Sequence, residues 1–424
     1  MNWFKSLIKD KGKAKQIYFL SLFFVGLPPF FLFSSFLNLH TAAKAMWLGL
    51  FSLFLFGIYE IRFEKKEKIV FTLFSFLFIA QSLSSLGAVS VGAFLSQYED
   101  VFFTAIFFFV SLTLLERKDI KKVVYILFFV AFVNTVFQLL IFFRPQFFLS
   151  VAKYFLHQGY LDLIALNVGR KRVYFEAYDE MLIPLTIFLF TKEKERLKRG
   201  MSAALLILIS LTSFISNFRT RFIMLSLSFL GSFVAFFNFL RRKMLILGGV
   251  ILLSFWVLYS TLSQSVGFTV INRLLFEHRL EDVETVTART KLWGEATDMG
   301  VASPVFGVGL GNYYDHLSYS LKENFSIFEQ RIKELESAIF YPHNMIIKVF
   351  AETGFLGLLA LGTLLVYFLR EDLKSLLKGE SSLNDALAIS FWILFSHAMV
   401  NPSFTVKYQA LFWLTRALIL KAKS

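Results

Sequence analysis

A histidine, several arginines and a run of glycines are the residues whose types and spacing could do chemistry in this chain. His343 stands in F-Y-P-H-N-M, where a polar stretch gives way to an apolar one. A neutral imidazole there can take a proton from a hydroxyl near neutral pH, or orient that hydroxyl without taking it. Arg289 lies in T-A-R-T-K-L-W-G-E-A, and Arg219 and Arg221 lie in S-N-F-R-T-R-F. A guanidinium keeps its proton and bonds phosphate oxygens two at a time, so arginines suit a substrate on which negative charge develops. Gly307, Gly309 and Gly311 in S-P-V-F-G-V-G-L-G-N-Y-Y read most simply as a tight turn, since glycine enters positive φ cheaply. Exposed backbone N–H groups in that turn could also cradle a phosphate or a sugar. Each has a plain reading as well: an interfacial histidine, a solvated loop arginine, a structural turn. The chain has no Cys, no H-E-x-x-H and no D-x-D, so no metal is expected.

What must position these residues is almost entirely apolar. The hydrophobic fraction is 56% and 56 of the 424 residues are Phe, well above the composition of soluble domains. Stretches long enough to cross hydrocarbon occur near 17–37, 45–61, 69–88, 101–115, 123–143 and 174–191, then near 202–216, 222–240, 244–262, 344–369, 385–400 and 403–420. The expected fold class is an all-α integral membrane protein of about twelve spans, with a kink at Pro28 and Pro29 in the first.

The charges orient it. With the N-terminus inside, the inside segments 1–16, 62–68, 116–122, 192–200, 241–243, 370–380 and 421–424 hold 26 of the 44 Lys and Arg. That satisfies the positive-inside rule at every turn. A net charge of +14 dispersed over short turns also excludes a nucleic-acid-binding face. Two outside loops are long. The first, 144–173, carries Arg170, Lys171 and Arg172; the second, 263–342, holds 7 cations against 11 carboxylates. Within the second, Phe325, Phe328, Ile332 and Leu335 predict an amphipathic helix over 325–337. The chain therefore divides into a membrane bundle (1–262), an extracytoplasmic loop carrying short helices (263–342) and a last membrane segment (343–424). Arg219 and Arg221 fall on a short outside turn, where the charge rule disfavours cations and a functional reason is expected. Lys348 and Glu352, four apart in the tenth span, predict a structural pair.

The ordered pattern Arg289, Trp293, Ala296, Pro304, Gly307, Gly309, Gly311, Asn312, Tyr313, His343, Asn344, Glu352, Gly354 and Gly357 resembles the O-antigen ligase and O-antigen polymerase superfamily. The segment around Arg219 resembles that family's Ser-Arg motif, with Phe218 in the serine position, so the choice between Arg219 and Arg221 stays open. The Arg170–Arg172 cluster resembles a further family segment that lacks its usual glycine here, and a plain solvated cluster is an equal reading.

The resemblance implies a metal-independent membrane glycosyltransferase without cofactor. Its donor would be a glycan on undecaprenyl diphosphate, and its acceptor a lipid A–core or a second lipid-linked glycan. Catalysis would rest on His343, Arg289 and Arg219. Donor binding would draw on Arg221, Arg172, Arg170, Gly309, Gly311, Asn312, Tyr313 and Asn344. It implies a bacterial inner membrane location, both termini cytoplasmic, and a periplasmic site surrounded by membrane lipids, with no nucleic-acid partner. A flippase or other transporter is the alternative from another class. Against it, the sequence has no internal repeat and concentrates its polar residues in one outside loop.

Overall fold

The computed structural model describes residues 10–27, 32–34, 37–154, 178–216, 219–236, 280–317, 342–379, 381–400 and 405–423, with single positions between 156 and 173. The described chain is helical apart from one short hairpin, in which Leu32–Ser34 (β1) pairs antiparallel with Leu37–Asn38 (β2). The first helix, Lys11–Gly26 (α1), starts on Asp10, whose side chain accepts from the Gly12 N–H, and ends at Leu27. Two prolines follow in the sequence. A proline offers no N–H and drives the residue before it out of the helical region. The span expected over 17–37 is corrected accordingly: the helix stops early and the β1–β2 hairpin takes up its second half.

Leu39–Leu55 (α2), Lys65–Leu83 (α3), Val91–Leu114 (α4) and Ile120–Phe143 (α5) follow, with a 3₁₀ turn over Ser84–Gly87 extending α3. A short helix, Pro145–Ala152 (α6), opens the first expected loop. Then come Ile183–Lys192 (α7), Arg196–Ile215 (α8), Arg219–Phe236 (α9), Leu280–Ala302 (α10), Met345–Lys378 (α11), Leu383–Val400 (α12) and Val406–Lys423 (α13). Every expected span has a helical counterpart except that near 244–262, which lies outside the described residues, as does the amphipathic helix expected over 325–337.

Two expectations change. The sixth span, read as 174–191, is a ten-residue helix preceded by a 3₁₀ turn over Asp179–Leu182. At about 1.5 Å per residue, a helix of that length covers only about half of a bilayer core. The second loop contains the 23-residue α10, longer than the short helices expected there, and Arg289 is therefore helical. Among the described residues, five helices are long and apolar enough to cross a membrane: Lys65–Gly87, Val91–Leu114, Arg117–Phe143, Met345–Lys378 and Leu383–Val400.

Contacts across the bundle sort the two ends of the described helices. One end joins the lysine-rich turns: Lys15 Nζ meets Asp119 at 2.6 Å, Lys421 meets Glu67 at 2.6 Å, and Lys66 meets Glu371 at 3.0 Å. The Ser381 hydroxyl donates to the Ala235 carbonyl there at 3.0 Å. The opposite end gathers the starts of α9, α11 and α13 and the ends of α3, α8 and α12, together with α10. The core runs between, centred on α13. Its Trp413 ring lies 4.6 Å from Phe74 and 5.2 Å from Phe108, and Ala410, Leu414, Ala417 and Leu418 are buried around it. Nearer the lysine-rich end, the Arg416 guanidinium forks onto Asp372 at 2.8 and 3.0 Å between the Phe368 and Phe391 rings. Burying that charge in an apolar bundle requires such a partner.

Candidate functional site

The motif residues of the second half of the chain meet at one corner. α10 packs along α11. Arg289 precedes Trp293 by one helical turn, so the two positions share a face of α10. The Trp293 indole N–H donates to the carbonyl of Pro342, which pins this face beside His343. His343 has φ of 46°, uncommon for a residue with a side chain, and is half-buried. Asn344 caps α11: its Oδ1 accepts from the N–H groups of Ile346 and Ile347 at 3.0 and 3.1 Å. The histidine thus stands at a fixed corner between a capped helix start and the α10 face that carries Arg289. The side chain of Arg289 lies outside the described residues.

The glycine turn does something other than present open N–H groups. Val308 N–H and Gly309 N–H donate to the carbonyls of Ala351 and Glu352 at 2.9 and 3.1 Å, and Leu310 N–H donates to the Ser84 hydroxyl at 3.2 Å. The Glu352 carboxylate is buried within electrostatic reach of the Gly311 and Tyr313 backbone. In return, Phe355 N–H reaches the Pro304 carbonyl at 2.7 Å. α11 breaks its helical dihedrals here, at Gly354 with φ 62° and ψ −161°, which brings its backbone against Pro304 and Val305. A Cβ at Gly307 would strike the backbone of Ala351 to Thr353, and one at Gly309 would strike Ala88. Backbone lies on backbone, and only glycine permits the approach.

Asn312 and Tyr313 serve the same clasp. The Asn312 Oδ1 accepts from Ser90 N–H at 2.6 Å, and its Nδ2 donates to the Leu310 carbonyl at 3.1 Å. The Tyr313 hydroxyl donates to the Leu292 carbonyl at 2.9 Å, and burial pushes its pKa up, so it stays a donor. Both side chains are fully buried. In this structure the polar groups of Gly309, Asn312 and Tyr313 bond within the protein. Glu352, whose backbone carbonyl holds the Gly309 N–H, also pairs through its side chain with Lys348 at 3.6 Å, as the four-residue spacing predicts.

The second arginine site is a buried network. Arg219 and Arg221 belong to the first turn of α9 rather than to a free turn. The Arg221 Nε donates to Glu180 Oε1 at 2.5 Å, and its Nη1 donates to the Gln138 amide oxygen. Its Nη2 is buried with no hydrogen-bond partner among the described residues. Ser213 donates to the same Glu180 oxygen at 2.6 Å, and Ser228 donates to the Glu180 carbonyl at 2.9 Å. Asp179 accepts from Asn134 and Gln138 at 3.3 and 3.2 Å. Arg221, Asp179 and Glu180 are each at most 8% exposed, so these charges depend on one another. The side chain of Arg219 lies outside the described residues, as do Arg170 and Arg172 entirely.

Sequence reading overlooked Asp179, Glu180, Asn134, Gln138 and His397. The available signal was polar side chains inside otherwise apolar helices, which are costly unless they serve a purpose. His397, on α12, packs edge-on against the Tyr178 ring at 5.1 Å and lies within electrostatic reach of Glu180 and Arg221. Tyr408, on α13, packs between neighbours of both segments. Its ring is 5.4 Å from Tyr178, and it lines a narrow cleft with Met345 and Val349 on the first turns of α11, directly after His343. Among the described residues, no group of three His, Asp or Glu stands close enough to hold a metal ion.

Residues 182–362 match the profile of the family described as O-antigen ligase. The matched segment includes Arg219, Arg221, Arg289, the glycine turn, His343 and the Gly354 break. The resemblance to the O-antigen ligase and polymerase superfamily read from the motifs is thereby shown over this segment. No curated protein matches the chain.

Proposed function

We propose, from this family match, that the chain is a membrane glycosyltransferase of surface-polysaccharide biosynthesis, moving a glycan from undecaprenyl diphosphate to an acceptor sugar hydroxyl. One observation carries the reading. The matched segment contains a corner histidine at the start of one apolar helix and, at the start of another, a buried arginine whose Nη2 has no hydrogen-bond partner among the described residues. An amphiphilic donor needs that combination: hydrocarbon walls for the polyprenyl tail and cations for the diphosphate.

In the proposed reaction the acceptor oxygen attacks the anomeric carbon as the bond from that carbon to the diphosphate oxygen breaks. His343 accepts or orients the hydroxyl proton. Arg289, Arg221 and Arg219 neutralise the charge that develops on the departing diphosphate. The products are a new glycosidic bond and undecaprenyl diphosphate. The diphosphate ester supplies the driving force, so neither nucleotide nor metal has a role. Asn344 contributes by fixing the His343 corner, and the buried clasp of Gly309, Gly311, Asn312 and Tyr313 by shaping it. Arg170 and Arg172 are assigned to the donor on resemblance alone. The active end faces the periplasm, with the lysine-rich end and both termini in the cytoplasm, a reading supported by the charge distribution.

The test is the product. Purified protein in vesicles receives lipid-linked donor, with lipid A–core or a second lipid-linked repeat as acceptor, and no nucleotide. Glycan on lipid A–core identifies a ligase, and an elongated lipid-linked glycan identifies a polymerase. Donor that crosses the bilayer without any new glycosidic bond would replace the enzyme by a transporter.

A further inference from the structure

At the lysine-rich end, far from the arginine sites, a groove opens between α1 and α5. Phe19 and Phe23 form one wall and Phe129 the other, and Lys118, Lys121 and Lys122 stand over its mouth. Phe19 is buried at its base, the Phe23 and Phe129 rings meet at 5.8 Å, and the outer edge of the lining is open to the surroundings, Phe129 being 56% exposed. The ammonium groups differ in their commitments. Lys118 is paired with Glu116 at 2.9 Å, whereas Lys121 and Lys122 are exposed and form no ion pair among the described residues. Lys122 instead lies 4.2 Å from the centre of the Phe19 ring, directly above the apolar wall.

The charge around the mouth is unbalanced. Residues 10–15 and 116–122 carry seven cations against three carboxylates. Glu116 is already engaged by Lys11, Lys15 and Lys118, and Asp119 by Lys15. The Lys118 hydrogen bond leads the interactions that hold Glu116 down at about 2, so it keeps its charge for partners already in place. Lys121 acts on Glu193 only through its field, without an ion pair among the described residues. Lys122 and Phe129 are seven residues apart on α5, about 10 Å along the axis. An anionic head at the lysines would therefore put the upper part of an acyl chain against the aromatic wall.

We propose that this groove binds one anionic phospholipid from the leaflet that the lysine-rich end faces, phosphate on Lys121 and Lys122 and acyl chain along Phe19, Phe23 and Phe129. Basic pockets between membrane helices recognise lipid heads by this chemistry, the cations attracting an anionic head at the membrane surface. A free phosphate would satisfy the lysines and leave the aromatic wall uncovered, so the site selects for head and tail together. The proposal is independent of the glycosyl-transfer reading.

Native mass spectrometry of the full chain in detergent, titrated with long-chain phosphatidylglycerol, phosphatidylcholine or glycerol 3-phosphate, tests it. One tightly held phosphatidylglycerol is expected, at least fivefold preferred over phosphatidylcholine, with glycerol 3-phosphate retained weakly if at all. Lys121→Gln combined with Lys122→Gln, at exposed positions that leave the packing intact, should abolish the preference. Phe129→Ala should weaken retention while keeping the head-group preference. Lys374→Gln with Lys378→Gln, at exposed positions on α11 at the same end, outside the groove lining, should behave as the wild type. Equal phosphatidylglycerol binding by wild type and the Lys121/Lys122 variant, or glycerol 3-phosphate retained as tightly as the lipid, would overturn the proposal.

Discussion

Arg221 is bound to Glu180 at 2.5 Å inside the bundle, across 41 residues of sequence. The carboxylate holds the Nε edge and Gln138 holds Nη1, which leaves Nη2 as the guanidinium's uncommitted donor among the described residues. A charge at that depth is tolerable only because its neutraliser is fixed as well, by Ser213 and the Glu180 backbone contact to Ser228.

Removing one partner should therefore cost more than removing both. Glu180→Ala strands a buried guanidinium and should destabilise by about 3–5 kcal/mol. Arg221→Ala in the Glu180→Ala background should recover part of that loss. Thermal unfolding of the four proteins in detergent measures the coupling, and additive single effects would deny that the pair acts as a unit. In a transfer assay, Glu180→Gln should raise KM for the donor more than it lowers kcat, because Gln retains the contacts that aim Arg221 without the full charge.

Arg289→Lys keeps a positive charge and loses the planar fork, so transfer should fall roughly tenfold or more, about 1.4 kcal/mol. Arg289→Ala should lose more. Lys291→Gln, two residues on and turned to another side of α10, is the silent control. Near-normal transfer by a folded Arg289→Ala protein would remove this residue from the site.

His343→Ala should depress turnover by about 10²–10⁴-fold while donor binding changes little. His343→Gln keeps hydrogen bonding without basicity. Recovery with Gln identifies an orienting role, and continued loss identifies proton transfer. His316→Ala, in the same turn region but outside the ordered motif, should retain activity; a comparable loss there would mean that the His343 effect is not specific.

The clasp can be tested without any substrate. Gly354→Ala meets both a φ of 62° and the backbone of Pro304 and Val305, and should cost roughly 1–3 kcal/mol from the dihedral alone, more with the overlap. Gly362→Ala, on the same helix with nothing within 4 Å of its Cβ, should be neutral or slightly stabilising. Equal melting temperatures for the two variants would argue against the clasp.

The gathering of lysines at one end of the bundle predicts opposite sides of the membrane for the two ends. The chain has no native Cys, so single cysteines report cleanly. Asp315→Cys on intact spheroplasts should react with an impermeant thiol reagent, and Lys194→Cys should react only after lysis. The reverse pattern would invert the orientation.

The sequence by itself determined the apolar, helical character of the chain, its alternation between lysine-rich and lysine-poor turns, the order of its motifs and the Lys348–Glu352 pair. All of these are local or periodic: segment length, charge at a turn, a four-residue spacing. Helix ends moved where local chemistry intervened, as at Leu27 before the prolines and at the 3₁₀ turn before α7. Only the tertiary structure decided that Glu180 and Gln138 clamp Arg221, that the helix carrying Arg289 holds Pro342 through Trp293, and that the Val308 and Gly309 N–H groups close onto Ala351 and Glu352. The physical reason is range. A buried donor must find its acceptor wherever packing brings one, and the residue that answers Arg221 or Gly309 lies 41 or 43 positions away, chosen by which helices meet rather than by any pattern around the donor itself.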